Sequence, residues 1–342
     1  MNVHEELIGF AREALGLSGS VRVVLAPLAG RGSDRSFFRL QWNITDSAIA
    51  IRYDAKRVEN ACYGDIATFL HHIGVPVPRL IGHDPVRCLM LMEDLGDQDL
   101  WSLRDNPWET RRTLYQKTLT IVQRLHAFPA KDFPSDRVRL MESFGPDLYR
   151  WERNYFQEHF VQGACGIRLD PSLDKELEAE LSSLAERLSS TRRSLVHRDL
   201  QSQNVMVRDG ETFLIDFQGM RFGSPFYDLG SLLCDPYVDL TENEIDDLLA
   251  FYYALSQWDL GWDAFRVYFW EASAQRLMQA LGAYGFLGLA RGLRTFLNHI
   301  PAGLRNLQRA ASHASTLPRL LELADKCSEK MTNNELPVSR GS

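Results

Sequence analysis

Asp209-Gly210, with the residues on either side of it, constrains this chain more than any other feature. An Asp-Gly pair suits the two central positions of a tight hairpin turn. The flanks, Val205 to Arg208 and Glu211 to Ile215, read as its two strands. If Arg208 faces Glu211 across the turn, antiparallel counting sets Asn204 opposite Ile215 and therefore beside Asp216. One hairpin thus clamps an amide oxygen and a carboxylate together. A third oxygen donor, Asp199, stands just upstream in His197-Arg-Asp-Leu-Gln-Ser-Gln-Asn204.

The chain before this segment changes character once. A first helix, about 2 to 16, is followed by strands at Val21 to Leu28, Ser36 to Trp42 and Ala48 to Tyr53, rich in β-branched and aromatic residues. A helix from Arg57 to Ile73 is stopped by Gly74-Val-Pro-Val-Pro78, because proline cannot continue a helix. Strands at Arg79 to Gly82 and Arg87 to Met92 complete a five-stranded antiparallel sheet. Beyond Glu93-Asp94-Leu95-Gly96 the apolar period becomes helical, most cleanly at Leu173, Leu177, Leu181, Leu184 and Leu188. Further helices are expected at 242 to 256, 263 to 283, 286 to 298 and 317 to 330. The expected organisation is an N-terminal lobe at 1–95, a mainly helical lobe at 96–327 and a frayed tail at 328–342.

The oxygen donors suggest a chemistry. A hard cation such as Mg2+ takes oxygen ligands and keeps several waters, so Asn204, Asp216 and the phosphates of ATP would complete its shell. Asp199 would orient or deprotonate an attacking hydroxyl. These are the parts of a kinase-type phosphoryl transfer site.

His197 to Asn204 together with Asp216-Phe resembles the signatures shared by protein kinases and aminoglycoside phosphotransferases. Gln201 stands where protein kinases have a lysine, and no Ala-Pro-Glu segment follows, so the chain sides with the phosphotransferases. The resemblance spans roughly residues 20 to 325. It implies an α+β fold of bilobal, protein-kinase-like form, with Asp228 bracing the catalytic loop from the start of a helix. Ile215-Asp-Phe-Gln-Gly, Tyr227-Asp-Leu-Gly-Ser-Leu-Leu-Cys-Asp-Pro-Tyr and Ala274-Gln-Arg-Leu-Met-Gln-Ala-Leu-Gly-Ala-Tyr are similar to the anomeric kinases of N-acetylmuramate and N-acetylglucosamine.

By the same resemblance, Gly30, Gly32 and Ser33 in Ala29-Gly-Arg-Gly-Ser-Asp-Arg-Ser36 would cover the nucleotide phosphates, with Arg35 at the place of a third glycine. An ordinary hairpin loop accounts for the same residues. Arg52 takes the place of the phosphate-pairing lysine, with Glu59 and Asp65 as candidate partners; an edge-strand salt bridge is the plainer reading. Met90 to Leu95, with Glu93 and Leu95 at its end, resembles the hinge that holds adenine, or is simply a buried strand ending in a polar turn.

The acceptor is the open part. Asp235, Asp239, Glu242, Glu244, Asp246 and Asp247 could receive a cation such as an aminoglycoside or choline, although a solvated helix start explains them as well. Arg150, Arg153, Arg221 and Arg276 could instead hold a substrate carboxylate, or each could make a surface salt bridge. The expected function is a Mg-ATP-dependent kinase acting on the anomeric hydroxyl of an amino sugar. Aminoglycoside, choline or homoserine kinases and a nucleotide-binding pseudokinase scaffold are the alternatives. A net charge of -7 speaks against a nucleic-acid partner. The stretch Leu277 to Leu293 contains Gln279 and Arg291 and falls short of the about 20 apolar residues of a membrane span. Five scattered cysteines suit reduced thiols and a cytoplasmic location.

Overall fold

The computed structural model describes residues 3–28 and 35–333. Two compact units emerge from it. The first combines residues up to Leu125 with Lys131–Met141 and Gln203–Met220; the second combines His126–Ala130, Glu142–Ser202 and the chain from Arg221 onward.

The first unit is built on helix α1 (Val3–Leu15) and strands β1 (Val24–Leu28), β2 (Ser36–Gln41), β3 (Ser47–Arg52), β4 (Leu80–Asp84) and β5 (Leu89–Glu93). The strands form an antiparallel sheet in the order β1-β2-β3-β5-β4. Alternate residues of β2 and β3 point to opposite faces. Phe38, Leu40, Ala48 and Ala50 thereby join Leu89 and Leu91 against Leu7, Phe10 and Ala11 of α1. Gly82 lets α1 lie this close, since a Cβ there would sit 2.9 Å from the Cβ of Ala14.

The helix expected at 57 to 73 is two helices, α2 (Val58–Ala61) and α3 (Tyr63–His72). The turn tightens between them, where the Cys62 N–H reaches Glu59 O (3.3 Å). Helix α4 (Trp108–His126) follows.

The second unit is mainly helical. Its elements are α5 (Pro146–Phe156), a π-helical stretch at Gln157–Ala164, α6 (Pro171–Ser190), β6 (Ser194–Val196), and, after the residues lent to the first unit, further helices. Helix α6 buries Leu173, Leu177, Leu181, Leu184 and Leu188, the stripe its sequence period predicts, and Asp170 caps its first turn. Past the hairpin strands β7 (Val205–Arg208) and β8 (Glu211–Leu214), the chain makes β9 (Arg221–Gly223), α7 (Pro225–Leu233), α8 (Glu242–Ser256), α9 (Trp262–Gly285), α10 (Ile300–Ala314) and α11 (Pro318–Asn333).

The helix expected at 286 to 298 is not formed. A π turn at Phe286–Ala290 and a 3-10 segment at Arg294–His299 replace it, broken where Gly292 takes a left-handed φ of 72°. Ser328 to Asn333 are helical, contrary to the frayed tail expected from Ser328, because Leu320, Leu323, Ala324 and Cys327 anchor α11 with one buried stripe. The remainder of that tail lies outside the described residues. Among the described residues no helix is long and apolar enough to cross a membrane.

Candidate active site

In the first unit the hairpin forms with the anticipated register: Arg208 pairs with Glu211 and Val205 with Leu214. Asp209 and Gly210 both take positive φ (54° and 74°), as a two-residue turn of this hand requires. Ile215 N–H donates to Asn204 O (3.0 Å), and Asp216 follows in the left-handed region at φ 63°. The hairpin is tied to its unit by backbone bonds from Leu100 N–H to Val205 O (3.0 Å), Val207 N–H to Gln98 O (2.8 Å) and Leu214 N–H to Pro76 O (2.9 Å). The adjoining Phe217 is fully buried and stacks on Tyr63, with ring centroids 4.5 Å apart.

Asn204 and Asp216 thus offer two oxygen donors from adjacent backbone, a donor set that suits a hard divalent cation. Gln218 Nε2 donates to Asp216 Oδ1 (3.0 Å), and the Arg35 guanidinium pairs with the same oxygen. Sequence reasoning had placed Arg35 only as the residue that spoils a glycine pattern. Gly30, Gly32 and Ser33 lie outside the described residues.

Arg52 ends β3, in register with Ser36 on one side and Leu89 on the other, and its side chain is exposed. That strand is interior to the sheet, which corrects the edge-strand alternative. Glu59 lies against Arg57 (3.5 Å), and Asp65 is exposed. Glu93 uses its N–H on Arg79 O (2.9 Å) and its carboxylate on Arg208 (2.8 Å), while Leu95 is buried.

In the second unit, β6 pairs with β9 and delivers the chain to His197-Arg198-Asp199. Arg198 is held at φ 78°, a strained conformation for a side chain of this size. Asp228, fully buried near the start of α7, holds it there. The Asp228 carboxylate accepts from His197 N–H (2.7 Å) and Arg198 N–H (2.8 Å). His126 Nε2 lies 3.0 Å from Asp228, and His126 Nδ1 lies 2.8 Å from the Tyr252 hydroxyl. The tautomer that satisfies both contacts donates Nε2–H to the carboxylate and accepts the hydroxyl proton at Nδ1.

Asp199 is 28 % exposed, with Arg198 Nη1 at 3.2 Å and Arg276 Nη2 at 3.6 Å. Burial alone would raise its pKa. Nearby positive charge from Arg198, Arg276, His197 and Arg221 outweighs that effect, so the carboxyl titrates below its ordinary value. A depressed pKa makes Asp199 a weak base that stays ionised through the neutral range.

Two expectations about charge need correction. Arg276 and Arg221 are not surface residues; both are buried. Arg276 Nε donates to Ser231 (3.2 Å) and Nη1 to Gln279 (2.6 Å), while Arg221 lies over the Phe144 ring. Arg153 is also buried but serves packing, since it joins α5 to α6 through Glu178 (2.6 Å). Arg150 is exposed and pairs with Asp147 (3.1 Å).

Nor is the acidic run one solvated helix start. Asp235 is buried and accepts from Ser202 N–H (2.7 Å), Ser202 Oγ (2.6 Å) and Tyr237 N–H (3.1 Å). Only its later members behave as expected, with Glu244 and Thr241 forming a capping box at the start of α8.

Glu152 escaped the sequence reading altogether. It is fully buried on α5, accepting from the Tyr227 hydroxyl (2.8 Å) and Gln275 Nε2 (3.0 Å), and burial raises its pKa. The available signal was its place between Tyr149 and Phe156, at the helical spacing of the buried stripe of α5.

A loop held by a buried aspartate, an Asp-Gly hairpin carrying an amide and a carboxylate, and an antiparallel sheet with its own helices define a kinase-type phosphotransferase. The family model for the phosphotransferase enzyme family matches residues 24–268, and the chain belongs to that family. It is 24% identical to the N-acetylmuramate/N-acetylglucosamine kinase of Pseudomonas aeruginosa over 87% of each chain. It is 22% identical to the kinase of the same name from Neisseria meningitidis, over 84% of this chain and 86% of that one. Among solved structures it is similar to a choline/ethanolamine kinase family protein from Mesorhizobium loti, at a TM-score of 0.61 and 15% identity, covering 93% of this chain and 99% of that one. An ADP-bound aminoglycoside phosphotransferase gives a TM-score of 0.60 at 13% identity, covering 92% and 98%. These likenesses support the protein-kinase-like α+β fold.

Proposed function

We propose that this phosphotransferase moves the γ-phosphate of Mg-ATP directly to the anomeric hydroxyl of an amino sugar of the N-acetylmuramate or N-acetylglucosamine kind. The observation that carries the choice of acceptor is the setting of Asp199. Arg198, Arg276 and Arg221 all depress its pKa by their charge, and two of them are buried. A polycationic aminoglycoside would be repelled there, whereas a neutral or carboxylate-bearing sugar would be accepted. Asp235 of the acidic run, the other candidate receptor for a cation, is occupied by Ser202. The name shared by the Pseudomonas and Neisseria relatives supports the same choice.

In this reading Asp199 accepts a hydrogen bond from the acceptor hydroxyl and takes its proton as the bond to phosphorus forms. Asn204 and Asp216 would hold Mg2+, which neutralises charge on the phosphates. Gly30, Gly32, Ser33 and Arg52 would contact those phosphates, and Glu93 and Leu95 would flank the adenine. The sheet unit is accordingly assigned to nucleotide and the helical unit to acceptor. No cysteine or histidine nucleophile is needed, so transfer is in line, and positioning with charge neutralisation supplies the acceleration.

The test is ADP release from Mg-ATP against N-acetylmuramate, N-acetylglucosamine, glucosamine, kanamycin, choline and homoserine, with Asp199→Asn as control. The proposal expects turnover on the acetylated sugars, abolished by the substitution. Turnover on kanamycin or choline alone would discard the acceptor assignment, and nucleotide binding without turnover on any of them would favour the scaffold alternative.

A further inference from the structure

Arg35 is joined to the Asp216 carboxylate, and nothing in the phosphoryl-transfer reading explains why. The guanidinium is buried to 9 % exposure and rests on the Phe37 ring, with its centre 5.4 Å from the ring centroid. Asp216 is 34 % exposed, and Gln218 shares the oxygen that Arg35 holds. The pair also bears on Tyr63, whose phenol is buried, stacked on Phe217 and influenced by both charges. Arg35 and Asp216 come from positions 181 residues apart, so the contact belongs to the folded unit and not to local chain geometry.

A cation at Asp216 and a guanidinium on the same oxygen compete for one negative charge. If metal alone took the carboxylate, the largely buried Arg35 guanidinium would lose this ion pair with nothing gained in exchange, which is unfavourable. If metal arrived with nucleotide, the phosphates would bring the anion that a guanidinium binds best, through two parallel hydrogen bonds. The exchange is then balanced: Asp216 passes from Arg35 to the metal, and Arg35 passes from Asp216 to a phosphate.

We infer that Arg35 is a placeholder cation on Asp216 that yields to metal only when nucleotide phosphate is present, and that it thereafter binds that phosphate. The inference rests on the proposed metal role of Asp216. Its consequence is a positive coupling between metal and nucleotide, with metal alone bound weakly. Substituting Arg35 frees the carboxylate and removes the phosphate contact together.

The experiment titrates Mn2+, followed by its paramagnetic resonance signal, into the full chain with and without ADP. Wild type, Arg35→Ala, Arg35→Gln and Asp216→Asn are compared. Arg35→Ala is expected to bind Mn2+ alone about tenfold more tightly than wild type, and the enhancement of Mn2+ affinity by ADP is expected to shrink by a similar factor, within the usual range of coupling. Arg35→Gln, which keeps a polar stem over Phe37, should shift both quantities the same way, and it carries the test if the alanine variant fails to fold. Equal or weaker Mn2+ binding without ADP in the substituted proteins would overturn the inference. Asp216→Asn separates the two layers: if it leaves Mn2+ affinity unchanged in the presence of ADP, the metal assignment itself is wrong, whereas a loss confined to Asp216→Asn with Arg35 variants like wild type defeats only the placeholder role.

Discussion

Substituting Asp228 with asparagine removes one charge and turns one oxygen into an amide donor. In the structure both carboxylate oxygens are used: one by Arg198 N–H, the other by His197 N–H and His126 Nε2. Whichever way the amide turns, at least one buried N–H then faces an NH2 group. Hydrogen bonds to a charged acceptor contribute roughly 1.5–3 kcal/mol each, and leaving a buried donor unpaired adds to the loss. The expected destabilisation is therefore about 3–5 kcal/mol, the range found when buried charge pairs are broken. For a unit of this size that is a fall in Tm on the order of 10 °C. Because the same oxygens hold Arg198 at positive φ, the loop also relaxes, and misplacing Asp199 by about 1 Å costs roughly 100-fold in kcat. KM for nucleotide should change little. Thermal melts and steady-state ADP release read both quantities. Wild-type Tm together with wild-type kcat in Asp228→Asn would refute the claim that this carboxylate holds the loop.

Arg276→Met should move the acid limb of the kcat profile to higher pH, since one of the charges that depress the Asp199 pKa is lost while burial remains; an unmoved limb would show that Arg276 does not act on that carboxyl. Gly230→Ala should destabilise by about 1–3 kcal/mol in urea unfolding, because its Cβ would sit 2.7 Å from the Ser273 Cα where α7 crosses α9, a backbone atom that cannot step aside. Glu152 has its folded pKa raised by burial, so its contribution to stability is full below the unfolded value and falls as pH rises through the folded one. Glu152→Gln should therefore match wild type near pH 4 and exceed it at pH 8 in denaturant titrations, and parallel pH dependences would contradict this.

How much could be read beforehand varied with the range of the interactions. The hairpin was legible to the residue because Asp209-Gly210 fixes its own register locally, and Asn204 and Ile215 meet where counting put them. The sheet strands were legible within a few residues from β-branched content and turn signals. The break at Gly292 was missed because an apolar run hides a single residue with left-handed φ. Helices α5 and α10 were missed although α10 buries Ile300, Leu304, Leu307, Ala311 and Ala314 at helical spacing and carries Pro301 in its first turn, where proline suits a helix start. Charge was the least legible. Arg276, Asp235 and Glu152 look like surface residues in one dimension, and only partners brought in from distant segments, Asp199, Ser202 and Tyr227, explain their burial.

Phosphorylation at the anomeric hydroxyl is tested most directly by the chemistry of the product. Phosphorus NMR of the full-length protein incubated with Mg-ATP and N-acetylmuramate or N-acetylglucosamine reads where the phosphate goes. The expected product is a sugar 1-phosphate, its phosphorus coupled to the anomeric proton, absent with Asp199→Asn. A phosphate on another hydroxyl, or no sugar phosphate while kanamycin or choline is phosphorylated, would contradict it.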